Sequence, residues 1–396
     1  MNKIKVCIIH HTGSMGGGSK SLIDVARMLK DDFEVIACIP NGSAELKNIL
    51  ISEGISVEEI FTPFPQLPRY SGGPSLISRT MLRMILNIRN VKKFCMEVEN
   101  LSPDAIIFNS IVTTVSAPYF NSKLKKICVI RETIVHKLSR RYFKFILDKY
   151  IAGVCFLSEM DKKRMSLKNS RSIVIPDSVP LDNIMLGNKD EARKLENLHA
   201  EEFLILFMGG NDKIKGVNTI IKAIMVIGSG SRLLLAGDFD MSYFTKNKLL
   251  LSLKSPKYFL YLINLKKNYK NADKKGLITR VGFRQSISSL MNACDVVVFP
   301  STKVHQARPC IEAGYYSRPV ILSDFEETRE YFIDGYNALT FKPNNYHDLA
   351  AKLVIAKNNP QKMRIIGQNN YVMSNTYHNY YKIQNDLHRF IVDLFF

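Results

Sequence analysis

No apolar run in this 396-residue chain approaches the roughly 20 residues that a membrane-spanning helix needs. The N-terminus passes from Met1-Asn2-Lys3 straight into the strand-like run Ile4 to Ile9, with no signal-peptide pattern. The expectation is a protein of the cytoplasm. Its seven cysteines are odd in number, lack Cys-x-x-Cys spacing and mostly sit inside apolar runs. They read as reduced core thiols, which excludes a disulfide scaffold or a zinc module. Negative charge is also short: 36 Asp and Glu face 55 Lys and Arg, leaving a formal net charge of +19. Such an excess favours phosphate-bearing partners, whether nucleic acid, anionic lipid or nucleotide, without choosing among them. Short-period repeats and low-complexity tracts are missing too, and 46% apolar with 10% aromatic residues excludes a disordered or fibrous chain. The length suffices for two globular domains.

What is present is a strand–helix rhythm. Ile4 to Ile9 is followed by the turn Gly13-Ser14-Met15-Gly16-Gly17-Gly18, and Leu22, Val25, Ala26 and Leu29 then recur at helical spacing. Phe33 to Pro40 supplies a second strand, completing a βαβ unit. Ala105 to Phe108, Lys126 to Ile130 and Gly153 to Leu157 add strands to this doubly wound α/β half. A second series opens at Phe203 to Met208 and continues through Arg232 to Gly237, Leu277 to Gly282, Asp295 to Phe299, Pro319 to Ser323 and Ala338 to Phe341. Helical patterns such as Ser286 to Asn292 and Tyr346 to Lys357 separate them. The polar stretch before it suggests a linker over about 180–202. The reading is therefore two Rossmann-like parallel-sheet domains, 1–180 and 203–375, with 376–396 a C-terminal helix returning to the first. The carboxyl ends of both sheets then face a cleft, where open parallel sheets bind ligands.

The motifs narrow the ligand. In the first glycine cluster Ser21 occupies the last glycine position of a dinucleotide fingerprint, and Lys20 is displaced from a Walker lysine. A ligand-facing loop of Gly16, Gly17 and Gly18 remains. Gly209-Gly210-Asn211-Asp212-Lys213-Ile214-Lys215-Gly216 places Lys215 at a helix start, where a cation is unfavourable unless an anion such as a diphosphate lies between. Between Cys294 and Phe341 a buried strand leads to Ser301, His305, Arg308, Pro309 and Glu312. Pro309 suits a first helical turn, leaving amides for an anion, and Glu312 one turn further in can grip a nucleoside diol. Base recognition is expected near Arg280 to Arg284, Gly282 included. His10, His11 and His136 stand near strand ends as weaker candidates.

These segments resemble the GT-B glycosyltransferases of family four, over nearly the whole chain. The resemblance rests on the N-terminal glycine loop, on Gly209 to Gly216 as the phosphate loop, and on Glu312-Ala313-Gly314 with Arg318-Pro319-Val320-Ile321 as the end of a Glu-x7-Glu region. It implies a retaining enzyme that moves a sugar from a nucleotide-diphosphate sugar to a glycan or lipid-linked acceptor in bacterial surface polysaccharide synthesis. By resemblance Lys215 binds the diphosphate and Glu312 the ribose, and no protein nucleophile is assigned. The chain departs from the pattern in three places. Val304 replaces the first glutamate, with His305 as substitute; Gly210 replaces an arginine, leaving Lys215 with Lys213 or Arg308 on the diphosphate; and Arg131-Glu132 stands where relatives carry a histidine. Arg131 and Glu132 thus become candidates facing donor or acceptor, with a structural ion pair as the other reading. With no Asp-x-Asp near a candidate phosphate site, neither a metal nor a cofactor is required. The competing readings are a nucleotide-sugar 2-epimerase and a non-catalytic basic membrane- or nucleic-acid-binding protein. Nucleic acid is disfavoured because the lysines are spread through both halves. Basic residues interleaved with apolar ones over 76–94, in the pattern of an amphipathic helix, and over 246–275, which interrupts the α/β rhythm like an insertion, suggest a peripheral site on an anionic membrane surface.

Overall fold

The computed structural model describes residues 3–68, 70, 86–134, 136–237, 239, 256–282, 284, 286–304 and 306–396. They form two compact units, 1–178 with 380–396, and 179–379. In the first, β1 (Lys5–Ile9), α1 (Gly17–Leu29), β2 (Glu34–Pro40), α2 (Ala44–Ser52) and β3 (Ser56–Ile60) make one wing. The other wing runs through α3 (Val91–Glu99), β4 (Ala105–Phe108), β5 (Lys125–Val129), α4 (Lys137–Tyr150), β6 (Gly153–Phe156), α5 (Glu159–Met165) and β7 (Arg171–Val174). All seven strands are parallel, in the order β3-β2-β1-β4-β5-β6-β7. The direction of winding reverses between β1 and β4, the position where doubly wound sheets open a crevice at their carboxyl edge.

Strands covered on both faces read as unbroken apolar runs, and the inner ones, such as Ala105–Phe108 and Gly153–Phe156, are buried at every residue. The predicted stripe of α1, Leu22, Val25, Ala26 and Leu29, is buried on one face of this sheet. The terminal helix, Tyr380–Val392, adds Ile383, Leu387 and Ile391 to the same core. Each such side chain contributes about 1.5–3 kcal/mol on burial, which ties the end of the chain to the first unit. All seven cysteines are buried and unpaired.

The second unit holds α6 (Lys189–Leu195), β8 (Phe203–Met208), α7 (Val217–Ile227), β9 (Ser231–Ala236), α8 (Pro256–Lys274) and β10 (Ile278–Gly282). It continues with α9 (Ser288–Ala293), β11 (Val296–Phe299), α10 (Arg308–Tyr315), β12 (Val320–Ser323), β13 (Leu339–Phe341), α11 (Tyr346–Asn358) and α12 (Pro360–Tyr377). Its strands are parallel in the order β10-β9-β8-β11-β12-β13, so the winding reverses between β8 and β11.

Three expectations need correction. Residues 180–202 are not a free linker: Asn188 caps α6 by accepting from the amides of Asp190 and Glu191 at 2.8 and 3.2 Å, and the buried Arg193 reaches Asp295 at 2.8 Å. This polar stretch is folded onto the second unit. The stretch 246–275 is not an insertion, because its described part is α8, the crossover from β9 to β10, packed on α7; 246–255 lie outside the described residues. Of the basic helix expected over 76–94, residues 76–85 also lie outside them, and from residue 91 onward the chain is α3, which buries Val91, Phe94, Cys95 and Val98. The edge strands β3 and β7 were not expected, since each exposes part of its length.

Candidate active site

Where the second sheet reverses, the loops after β8 and β11 leave adjacent strands and are stitched together. The Ile214 carbonyl accepts from the Thr302 amide at 2.9 Å and from the Ser301 hydroxyl at 3.2 Å, and the Thr302 hydroxyl donates to the Lys213 carbonyl at 3.1 Å. Gly216 closes this contact. It has φ +75°, and a Cβ there would lie 1.7 Å from the Pro300 carbonyl oxygen, so only glycine fits. Gly209 is required for another reason. A Cβ on it would stand 2.8 Å from the Phe207 ring and 3.2 Å from the Lys215 Cβ, pushing Lys215 from its seat. Gly237 and Gly282 end the neighbouring strands β9 and β10, and the Gly237 amide donates to the Gly282 carbonyl at 2.9 Å.

Two helices begin at this edge, α7 and α10, and neither has a side-chain cap or an acidic residue in its first turn. Their free amides and dipoles create a positive site. Lys215 immediately precedes α7, and loss of solvent around its ammonium lowers its pKa, an effect Asp212 opposes. A partly desolvated cation beside a bare helix start gains from a bound anion. Pro309 lies in the first turn of α10, and Arg308 donates from Nε to Glu312 Oε1 at 3.1 Å with both side chains largely buried. Arg308 and Glu312 thus fix one another at the start of α10.

The first unit has its own polar cluster at the β1/β4 reversal. His10 is 1% exposed. The Asn109 amide nitrogen is oriented by the Gly18 carbonyl at 3.4 Å and donates to His10 Nδ1 at 3.2 Å. The His10 proton therefore sits on Nε2, which faces Thr12 Oγ1 at 2.9 Å and Ser19 Oγ at 3.2 Å. Burial first, then His11 and Arg131, lowers its pKa to about 3, and burial lowers that of His11 to about 4. Both rings are neutral at physiological pH. Three buried polar atoms here have no hydrogen-bond partner among the described residues: His11 Nδ1, Asn109 Oδ1 and Arg131 Nε. Buried polar atoms are rarely left so unless a ligand or water completes them.

Residues 188–373 match the family model described as glycosyl transferases group 1. The chain is a glycosyltransferase, and its second unit is a group 1 domain. An uncharacterised glycosyltransferase of Methanocaldococcus jannaschii is 23% identical over 90% of this chain and 88% of its own length. Among solved structures, Anabaena HepE, in complex with UDP and glucose, superposes with a TM-score of 0.76 at 18% identity over 98% of this chain and 99% of its own. A Staphylococcus aureus TarM variant, in complex with fondaparinux, alpha-GlcNAc-glycerol and UDP, gives 0.70 at 12% identity over 98% and 99%. The two units are the two Rossmann-like domains of the GT-B fold.

Within this glycosyltransferase the expected site residues separate into groups. Lys215, Gly209, Gly210, Arg308, Pro309 and Glu312 lie on the stitched loops and helix starts of the second unit, and Gly16, Gly17 and Gly18 form the uncapped, exposed start of α1. Ser301 is corrected: it is fully buried and its hydroxyl is spent on the carbonyls of Ile214 and Lys303, so it joins loops rather than touching a ligand. Lys213 lies over the Tyr261 ring, 5.7 Å from its centroid. Arg131 is the ion-pair alternative, bound to Asp177 at 2.9 Å with both side chains nearly buried. Glu132 accepts from the Ser110 hydroxyl and from the Ile111 and Arg131 amides, and burial pushes its carboxyl above the ordinary range against those bonds. It braces the loop after β4. Arg280 lies over the Tyr269 ring and Arg284 pairs with Glu196 at 3.4 Å. His305 lies outside the described residues. Sequence reasoning missed Asn109 and also Ser323, a buried hydroxyl without a partner among the described residues at the carboxyl end of β12.

The premise about metals also changes. Asp238-Phe239-Asp240 directly follows Gly237, whose Cβ position would lie 2.9 Å from the Gly209 carbonyl oxygen. An Asp-x-Asp therefore follows, in the sequence, a glycine that touches the phosphate loop; Asp238 and Asp240 themselves lie outside the described residues. Among the described residues no three His, Cys, Asp or Glu side chains cluster as a metal-ligand set, and no helix is long and apolar enough to cross a membrane.

Proposed function

We propose that this glycosyltransferase is a retaining enzyme of family four. It takes a nucleotide-diphosphate sugar, with uridine diphosphate as the first nucleotide to test, and passes the sugar to a glycan or lipid-linked acceptor in surface polysaccharide synthesis. One observation carries the reading: Lys215, partly buried, stands just ahead of the uncapped start of α7, on a loop that Gly216 locks against the loop after β11. That arrangement stabilises charge developing on a departing diphosphate, because the dipoles and cation are already in place. Glu312, held by Arg308, accepts from the ribose hydroxyls. The unfilled polar atoms of His11 and Asn109 suit a hydroxyl-rich acceptor on the first unit. HepE with UDP and glucose, and TarM with UDP beside an alpha-glycoside, support this choice of donor and of stereochemistry.

Charge neutralisation by Lys215 and Arg308 makes the transfer metal-independent in this reading. A thermal-shift series across nucleotide diphosphates tests the donor, since a ligand at 100 times its Kd adds about 2.7 kcal/mol of stability. Lys215→Ala and Glu312→Ala each abolish the shift and most transfer, while chelation with EDTA leaves the wild-type rate unchanged. Full shifts in both variants sink the site, and a rate lost to EDTA and restored by magnesium overturns the metal-independent reading. Release of nucleotide diphosphate without any acceptor favours the epimerase instead.

A further inference from the structure

We infer that the solvent-facing side of α4 docks the first unit onto a membrane carrying anionic lipid headgroups. The inner face of the helix is accounted for by Ser139, Phe143, Ile146 and Leu147, all buried. Its outer face carries Leu138, Tyr142 and Phe145, spaced i, i+4 and i+7 so that they stand in one row, with exposures of 79%, 40% and 54%. Tyr119, 47% exposed, extends the row from the segment Ile111–Tyr119, which packs on α4. An ordinary solvated helix face does not present an aliphatic and three aromatic side chains in line.

The charges around the row choose the occupant. Lys137, Arg140, Arg141, Lys144 and Lys149 lie on this one helix against a single acid, Asp148. That carboxylate is taken by Lys144 at 3.2 Å and by the amides of Lys168 and Asn169. The Lys149 ammonium stands 5.4 Å from the centres of the Phe145 and Tyr150 rings, the arrangement of an aromatic entering an interface with its cation held at the headgroups. Exposed apolar side chains rimmed by an excess of bases match an anionic bilayer, which accepts both at once.

Position adds a reason. Residue 137 follows the carboxyl end of β5 by only seven residues beyond Ile130, so α4 starts at the same sheet edge as Arg131, His10 and Asn109. Leu138, the most exposed member of the row, lies at that end. A lipid-borne acceptor would reach the polar cluster from the surface that α4 rests on. The inference rests on the acceptor being membrane-borne, as proposed above, and places its dock away from the stretches 76–94 and 246–275.

Sedimentation of the full chain with vesicles of phosphatidylcholine, alone or mixed with phosphatidylglycerol, tests it. Wild type should sediment only with the anionic vesicles. Each basic residue near an anionic leaflet strengthens partitioning about fivefold, so Lys137→Glu, Arg141→Glu and Lys149→Glu together should weaken it at least about a hundredfold. Leu138→Ser with Phe145→Ser should weaken it as well, and both variants should keep the wild-type melting temperature because every changed side chain is exposed. The thermal shift with uridine diphosphate, measured alongside, should survive in both variants; its absence from wild type overturns the donor reading and leaves the vesicle result standing. Wild type that ignores anionic vesicles, or variants that bind them like wild type, overturns the dock. So does a dimer in sedimentation velocity that Phe145→Ser dissociates, because the row then covers a second copy of the chain.

Discussion

Lowering the pH from about 8 to about 5 should destabilise the first unit through His10, by an amount that follows from its burial. In the unfolded chain this imidazole takes a proton near its ordinary pKa of 6.5, whereas in the folded protein it resists protonation until about pH 3. Its folded pKa is depressed, so its contribution is fully present above pH 6.5 and is lost as the pH falls through the window between the two values. The unfolded state binds more protons throughout that window, and stability falls with pH. At about pH 5 the unfolded state has gained roughly 1.5 pK units of protonation free energy, or about 2 kcal/mol. His11, lowered to about 4, adds a similar term. The informative measurement compares wild type with His10→Gln in urea, followed by far-ultraviolet circular dichroism and by tyrosine emission, which no tryptophan obscures in this chain. At pH 8 the glutamine variant should be the less stable, because it cannot keep Asn109, Thr12 and Ser19 all paired as the ring does. By pH 5 that gap should have shrunk by about 2 kcal/mol. A gap that stays constant between the two pH values would refute the reasoning, because it would mean that the ring titrates normally in the folded protein.

Two further substitutions probe contacts that decide the sites. Gly216→Ala should cost at least about 2 kcal/mol in urea unfolding and abolish the uridine diphosphate shift, because it adds the Pro300 clash to the strain of positive φ. Gly42→Ala, at φ +83° but in open space, is the control and should cost only about 1 kcal/mol; equal costs would show that the loops are not in contact. Arg131→Met should destabilise by about 3–5 kcal/mol by breaking a buried pair, and Arg131→Met combined with Asp177→Leu by much less. A loss of transfer rate with unchanged stability would instead make Arg131 an acceptor contact.

The parts of the fold legible in the sequence are those whose burial is two-sided. Val296-Val297-Val298-Phe299 has no exposed residue, so it reads as one apolar run with nothing to confuse it. β3 presents Ser56, Glu58 and Glu59 among its five residues, and only Ile60 is fully buried, so its composition is that of a loop. α6 was hidden differently. Its cap, Asn188 with Asp190 and Glu191, is written in the sequence, yet it buries Ala192 and the guanidinium of Arg193 where a periodic apolar stripe would be sought. Such a helix is held by an arginine on the Ala293 carbonyl and on Asp295, about a hundred residues away, and local periodicity carries no trace of that.

The same distinction runs through the candidate site. Gly209, Gly216 and Lys215 were legible because backbone geometry sets their roles: a strand ends, the chain turns tightly, and a helix begins. Arg131 and Glu132 were legible only as charges at a strand end, which is compatible with catalysis and with bracing alike. What separates the two is the identity of partners distant in sequence. Glu132 is committed to Ser110, 22 residues earlier, and Arg131 to Asp177, 46 residues later. Both partners reach the cluster only because the sheet order brings β4, β5 and the stretch after β7 to one edge. Asn109 was missed for the same reason, since its partner His10 is 99 residues away and neither residue type advertises the contact. A strand-end charge therefore has to be judged by what the neighbouring strand ends offer it. Here Arg131 is committed to Asp177, whereas Lys215 stands on a glycine loop just ahead of an uncapped helix, which is why diphosphate chemistry is placed on Lys215 and not on Arg131.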